Sequence, residues 1–137
     1  MKHKAQGGTA AVEFAIVLPI FLLLVFAIIE FGFILYDKAV ITNASREAAR
    51  AGVVLKSPKL TADQIQAVAT SYCNNYLISF KASNPPVVTV PSGAAGTFGE
   101  PLTVKVTYTY YGLGLGTLLS PISGPLTLTG TTVMNNE

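Results

Sequence analysis

The chain has 137 residues, half of them hydrophobic and only 12% charged. That is too apolar for an ordinary soluble domain of this length and leaves room for one small domain beside an anchor. The formal net charge is +2, but Lys2 and Lys4 lie in the first eight residues; removing those two from nine leaves seven basic residues against seven acidic, so the basic excess gives no reason to expect a nucleic-acid partner.

Residues 1–8 read as a short polar leader. From Thr9 the pattern turns helical, and residues 14–36 are apolar, small or aromatic apart from Glu30. As a helix this stretch measures about 34 Å, enough for the ~30 Å hydrocarbon layer of a bilayer. An ordinary secretory signal is shorter and ends in a small-residue cleavage site. Here Tyr36-Asp37-Lys38 follows the span, so residues 9–36 are expected to remain as a transmembrane helix. The lysines of the leader hold the N-terminus in the cytoplasm, which puts the rest of the chain outside it. Pro19 removes one backbone donor and crowds the carbonyl of Ala15, so a kink or local loosening is expected there.

Beyond the span, Ile41, Ala44, Ala48, Ala51 and Leu55 recur at helical steps and form one stripe of small and apolar residues. Asn43, Arg46, Glu47 and Arg50 occupy the other side. Glu47 is within pairing reach of its arginine neighbours; the sharper reading is a contact with a neighbouring subunit. The first helix should therefore continue through 37–56 as a stalk. Ser57-Pro58 breaks it, and residues 57–137 form a small α+β domain.

Thr61-Ala-Asp-Gln64 has the spacing of a capping box. Ile65, Val68, Tyr72, Tyr76 and Phe80 follow at helical steps, which predicts a second amphipathic helix over 62–80. Val87–Val90 is a short strand candidate. Alternation over 102–110 and over 126–134 predicts two strands with one buried face. The fold expected is α+β: a long N-terminal helix, half anchor and half stalk, packed on a small domain with a second helix and a roughly three-stranded antiparallel sheet. The apolar segment 112–125 reads either as a loop tucked over the sheet or as an exposed patch that binds a partner.

Catalytic chemistry finds little support. The sole histidine, His3, lies in the leader, and the sole cysteine, Cys73, excludes an intrachain disulfide; Cys73 reads either as a small buried helix residue or as an intermolecular disulfide or reactive thiol. Nothing has the spacing of a metal site. Gly112, Gly114 and Gly116 lack the context of a nucleotide fingerprint. No enzyme, cofactor or metal is expected.

The informative charges are Glu13 and Glu30. An ionised group at mid-bilayer costs roughly 2.5–3.5 kcal/mol on insertion scales, and less near the surface. If the chain is cut between Gly8 and Thr9, Thr9 acquires a free ammonium. Glu13 lies four residues further on, near one helical turn. The carboxylate could then be neutralised by that amine or by a neighbour's, and in apolar surroundings such a pairing is far stronger than in water. Glu30 lies 17 residues after Glu13, so the two point about 100° apart around the helix. Glu30 reads either as snorkelling outward or as a contact within an assembly.

These residues resemble the TadE-like family, minor pilins of the tight-adherence (Flp-type) type IV pilus system. Gly8-Thr-Ala-Ala-Val-Glu13-Phe14 is similar to the family's processing site, Val17–Leu24 and Ile29-Glu30-Phe31-Gly32 to its anchor, and Asn43–Ala51 to the helix after it. The resemblance implies a pilin-like fold in a bacterial inner-membrane protein, N-terminus cytoplasmic and C-terminal domain periplasmic. It implies cleavage by a prepilin peptidase after Gly8, with Glu13, Phe14 and Glu30 serving subunit assembly. Partners would be other minor pilins, with the major pilin as a further candidate, the inner-membrane assembly platform and membrane lipid. Phe14 stands where major subunits usually carry tyrosine, and the long β-containing region also favours a minor pilin. Two alternatives stay open: a membrane-anchored periplasmic binding module, and a filament-tip adhesin.

Overall fold

The computed structural model describes residues 6–81, 83–112 and 126–137. Helix α1 runs from Gln6 to Val53 without interruption at Pro19. At 1.5 Å per residue it is about 70 Å long. It carries an 18-residue window of mean hydropathy 2.9, none of it buried inside the protein. α1 is thus long and apolar enough to cross a membrane.

Helix α2, Ala62–Tyr76, starts at the expected capping box. The Gln64 backbone N–H donates to the Thr61 hydroxyl at 3.4 Å, and the Thr61 N–H donates to Gln64 Oε1 at 3.0 Å. The helix ends four residues earlier than the periodicity predicts. Leu77 is already extended, its N–H returning to the Cys73 carbonyl at 2.8 Å. Phe80 instead meets Phe33 of α1 edge-on, with ring centroids 5.2 Å apart. The expected stripe also shifts: Ile65, Ala69 and Cys73 are fully buried, whereas Tyr76 is 52% exposed. Small residues at steps of four let α2 sit close to α1, and the tyrosines flank that seam.

Three strands follow: β1 (Val87–Ser92), β2 (Pro101–Tyr110) and β3 (Leu126–Asn135). They form one antiparallel sheet in that order. In β2, Leu102, Val104, Val106, Tyr108 and Tyr110 are buried, and the residues between them are not, as the alternation predicts. In β1 the register shifts between Thr89 and Ser92, around Pro91. Proline cannot donate to a ladder and is tolerated at such an edge.

The outer half of α1 completes the core by lying along β3. Lys38 Nζ donates to the Thr129 carbonyl, Ser45 Oγ meets Thr132 Oγ1 at 2.7 Å, and the Glu137 N–H donates to the Val53 carbonyl at 3.0 Å. From Lys38 to Val53 the helix rises about 23 Å, and from Thr129 to Glu137 β3 and the two residues after it cover about 26 Å, so helix and strand run nearly side by side. Gly130 allows the approach: a Cβ there would lie 2.8 Å from the Ile41 carbonyl oxygen and 3.0 Å from the Thr42 nitrogen. Ile41, Ala44 and Ala48 are fully buried, as the stripe predicts. Its continuation is corrected: Ala51 is half-buried and Leu55 is 76% exposed. The helix stops at Val53, and Ala49, Gly52 and Val53 line the core instead.

Candidate assembly site

Three places on α1 carry the residues singled out by the sequence. The first is its N-terminal end. Gly8, Thr9, Glu13 and Phe14 all lie on the helix and are exposed. Phe14 is 62% exposed, and Val12 and Ile16 are similar. A Cβ at Gly8 would meet nothing within 4 Å. Glu13 makes no hydrogen bond or ion pair with any described residue. Its carboxylate thus stands alone on an apolar cylinder, about 6 Å along the axis from Thr9.

The second place is the base of the outer domain. Glu30 is 6% exposed. It does not stand clear on the helix surface but abuts Gly112, just beyond the end of β2, so closely that a Cβ there would collide with its carboxylate. Two turns on, Asp37 is fully buried. One of its oxygens accepts from the Ile78 N–H at 3.1 Å, while the other has no partner among the described residues. Burial raises the Asp37 carboxyl above its ordinary range, and the Ile78 hydrogen bond offsets part of that rise. The Tyr110 hydroxyl is likewise buried without a partner among the described residues. It is pushed up to about 12, first by burial and then by the negative charges of Glu30 and Asp37. Tyr36 donates to the Tyr76 carbonyl at 3.1 Å. The chain after α2 is therefore hooked onto α1 at residues 36 and 37. Asp37 is not among the residues that the sequence singles out. The available signal was its spacing of seven from Glu30, which puts both carboxylates on one face.

The third place is the outward side of the stalk. Arg46, Glu47 and Arg50 are exposed. No hydrogen bond or ion pair joins them to each other or to other described residues, so Glu47 is not spent on its arginine neighbours. Glu47 instead lines a groove of about 580 Å³ against α2, with Val68, Ser71, Tyr72 and Tyr76 on the other wall. Tyr72 and Tyr76 pack ring against ring, with centroids 4.7 Å apart.

Cys73 is fully buried, and burial pushes its thiol up to about 11, far from the thiolate that reacts near neutral pH. Among the described residues, no three His, Cys, Asp or Glu side chains lie together in a way that could hold a metal ion. The apolar segment 112–125 lies outside the described residues except for Gly112.

No curated protein and no solved structure matches this chain. A family profile does, with limits that coincide with the features just described: it starts at Gly8 and ends at Arg50, spanning the exposed carboxylate, the apolar cylinder, the buried Glu30 and the charged side of the stalk. Residues 8–50 match the family described as TadE-like protein, the family that the sequence resembles.

Proposed function

We propose that this chain is a minor pilin, or pseudopilin, of a tight-adherence type IV pilus, and that it supports initiation, assembly or dynamics of the filament. The observation that carries the reading is Glu13. A carboxylate without a partner among the described residues sits five residues after a glycine at the lip of a membrane-length helix. Its neutralisation is left to groups outside those residues. Cleavage after Gly8 by a prepilin peptidase would supply an ammonium on Thr9, and a neighbouring subunit would present it. The match over residues 8–50 supports the same reading.

In this reading the span is Thr9–Ile29, about 32 Å of helix, and the membrane's outer edge lies near Glu30 rather than Tyr36. Phe33 and Ile34 pack against the protein's own core, which leaves lipid or neighbouring spans to cover the residues before them. The N-terminus is cytoplasmic and the sheet periplasmic, in the inner membrane until the subunit enters a filament. Other minor pilins and the assembly platform would meet Phe14 and the side of the stalk that bears Arg46 and Arg50.

Mass spectrometry of the protein taken from membranes tests the first step: residues 1–8 should be missing where a prepilin peptidase is active. An intact leader in such cells refutes the proposal and leaves a simple tethered binding module. Glu13→Ala should still insert into the membrane but fail to assemble; normal filament output from that variant would remove the charge pairing.

A further inference from the structure

The end of the molecule far from the membrane is built around one protruding aromatic side chain. The connection between β1 and β2 turns through two glycines with positive φ, Gly93 (+79°) and Gly99 (+83°). It is held from several sides. Asn136, 2% exposed, donates its side-chain amide to the carbonyls of Gly93 and Glu100 at 3.0 and 2.9 Å. Lys59 donates to the carbonyls of Gly96 and Glu137 at 2.9 and 3.1 Å. The Gly99 N–H donates to the Asn136 carbonyl at 2.9 Å, and the Thr97 N–H to Glu100 Oε2 at 2.8 Å. A turn so braced does not leave an apolar side chain outside for want of order. Yet Phe98 is 87% exposed, and Leu55 at the same end is 76% exposed. Rigid exposed aromatic side chains that need no further ordering are the usual anchors of protein interfaces.

The same molecule carries a receptor for such an anchor. The groove between α1 and α2 holds about 580 Å³ and is lined by Tyr72, Tyr76 and Val68. Its aromatic pair offers a third ring an edge or an offset face. The charges also suit one another. Glu47 on the groove wall and Lys56, one residue from Leu55, are both exposed and make no hydrogen bond or ion pair with other described residues.

We infer that Phe98 of one copy of this chain seats in the α1–α2 groove of a second copy, with Lys56 of the first facing Glu47 of the second. A protrusion on one face that fits a pocket on another makes a head-to-tail contact, and such contacts propagate into rings or filaments. The inference rests on the pilin reading in one respect: anchored copies all stand the same way up. The turn is braced on Asn136 and Glu137 beside Val53 at the far end of α1, while the groove meets the stalk at Glu47, so the receiving copy stands at least about 9 Å further from the membrane. A step of about 6 Å, set by Glu13 meeting a neighbour's Thr9 amine, is smaller than that, so the receiving copy is not the adjacent one.

The test places a photoreactive benzophenone side chain at position 98 of the full chain in cells that assemble the filament. Irradiation should give an adduct of two chains, with the crosslink mapping to residues 67–76 of the second. Ser71→Trp, at an exposed position in the groove, should abolish that adduct. Glu47→Lys and Lys56→Glu should each lose it, and the two together should restore it. Unchanged melting of each variant in detergent shows that the fold is intact. Absence of the adduct, an adduct only with another protein, a crosslink elsewhere on the chain, or single charge variants with full yield would each overturn the inference. Leader removal, read by mass in the same sample, reports on the pilin reading separately.

Discussion

The two halves of α1 are one continuous helix with opposite needs. From Val12 to Ile29 no residue is buried. From Val40 to Val53 the helix buries Val40, Ile41, Ala44, Ser45, Ala48, Ala49 and Val53 in its own domain. The inner half is built of large side chains, Phe14, Phe21, Leu22–Leu24 and Phe26 among them; the outer half brings alanine, serine and glycine to its contacts. Large apolar residues suit a solvent of lipid tails, which moulds itself to any shape. Small ones suit a rigid sheet, where a close approach is needed. The outer half is thus completed by its own chain. The inner half depends on whatever surrounds it, and that is where Glu13 stands without a partner among the described residues.

Substitutions should separate the halves. The largest loss of stability is expected from Ile41→Ala, about 2–5 kcal/mol for deleting a fully buried aliphatic side chain, read as a lower denaturation midpoint of the full chain in detergent. Leu23→Ala, the same kind of truncation at a site 61% exposed, should leave that midpoint within about 0.5 kcal/mol. A comparable loss at Leu23 would mean that the inner half folds back on the domain. Gly130→Val should cost about 1–3 kcal/mol or more, because its side chain meets backbone rather than a movable side chain. Thr61→Ala removes the α2 cap and should cost about 1 kcal/mol.

The smallest effect, and the one that examines the boundary between the halves, is the pH dependence at Asp37. Its carboxyl is raised in the folded protein, so the folded state holds a proton more firmly than the unfolded one. The resulting stabilisation is fully present below the unfolded value and is lost as pH rises through the folded one. Melting temperature should therefore fall over that interval. Asp37→Asn keeps an acceptor for Ile78 and should flatten the dependence. A wild-type profile with the opposite slope would mean that a cation compensates Asp37 in the folded protein.

Local pattern made much of this legible. The capping box set where α2 begins, because a cap is satisfied within four residues. Alternation set which face of β2 is buried, because a strand's period is fixed by the backbone. The length of the apolar run set a helix long enough to cross a membrane. The end of α2 was not legible, since Phe80 fits the helical period equally well and only the presence of Phe33 draws it away. Nor was the place of Glu30 within the molecule, which depends on Gly112, more than eighty residues downstream.

The amino-acid sequence by itself therefore determined the order and type of the elements, the membrane-length helix and the Gly8–Glu13 spacing, because each is written in neighbours along the chain and in backbone periods. Only the tertiary structure decided which carboxylates are enclosed by the protein's own domain and which are left for others. It likewise decided that Phe98 and the groove lie at different heights on one molecule. Those outcomes depend on which distant segments pack together, and burial of a charge or an aromatic ring is a property of that packing rather than of the residue.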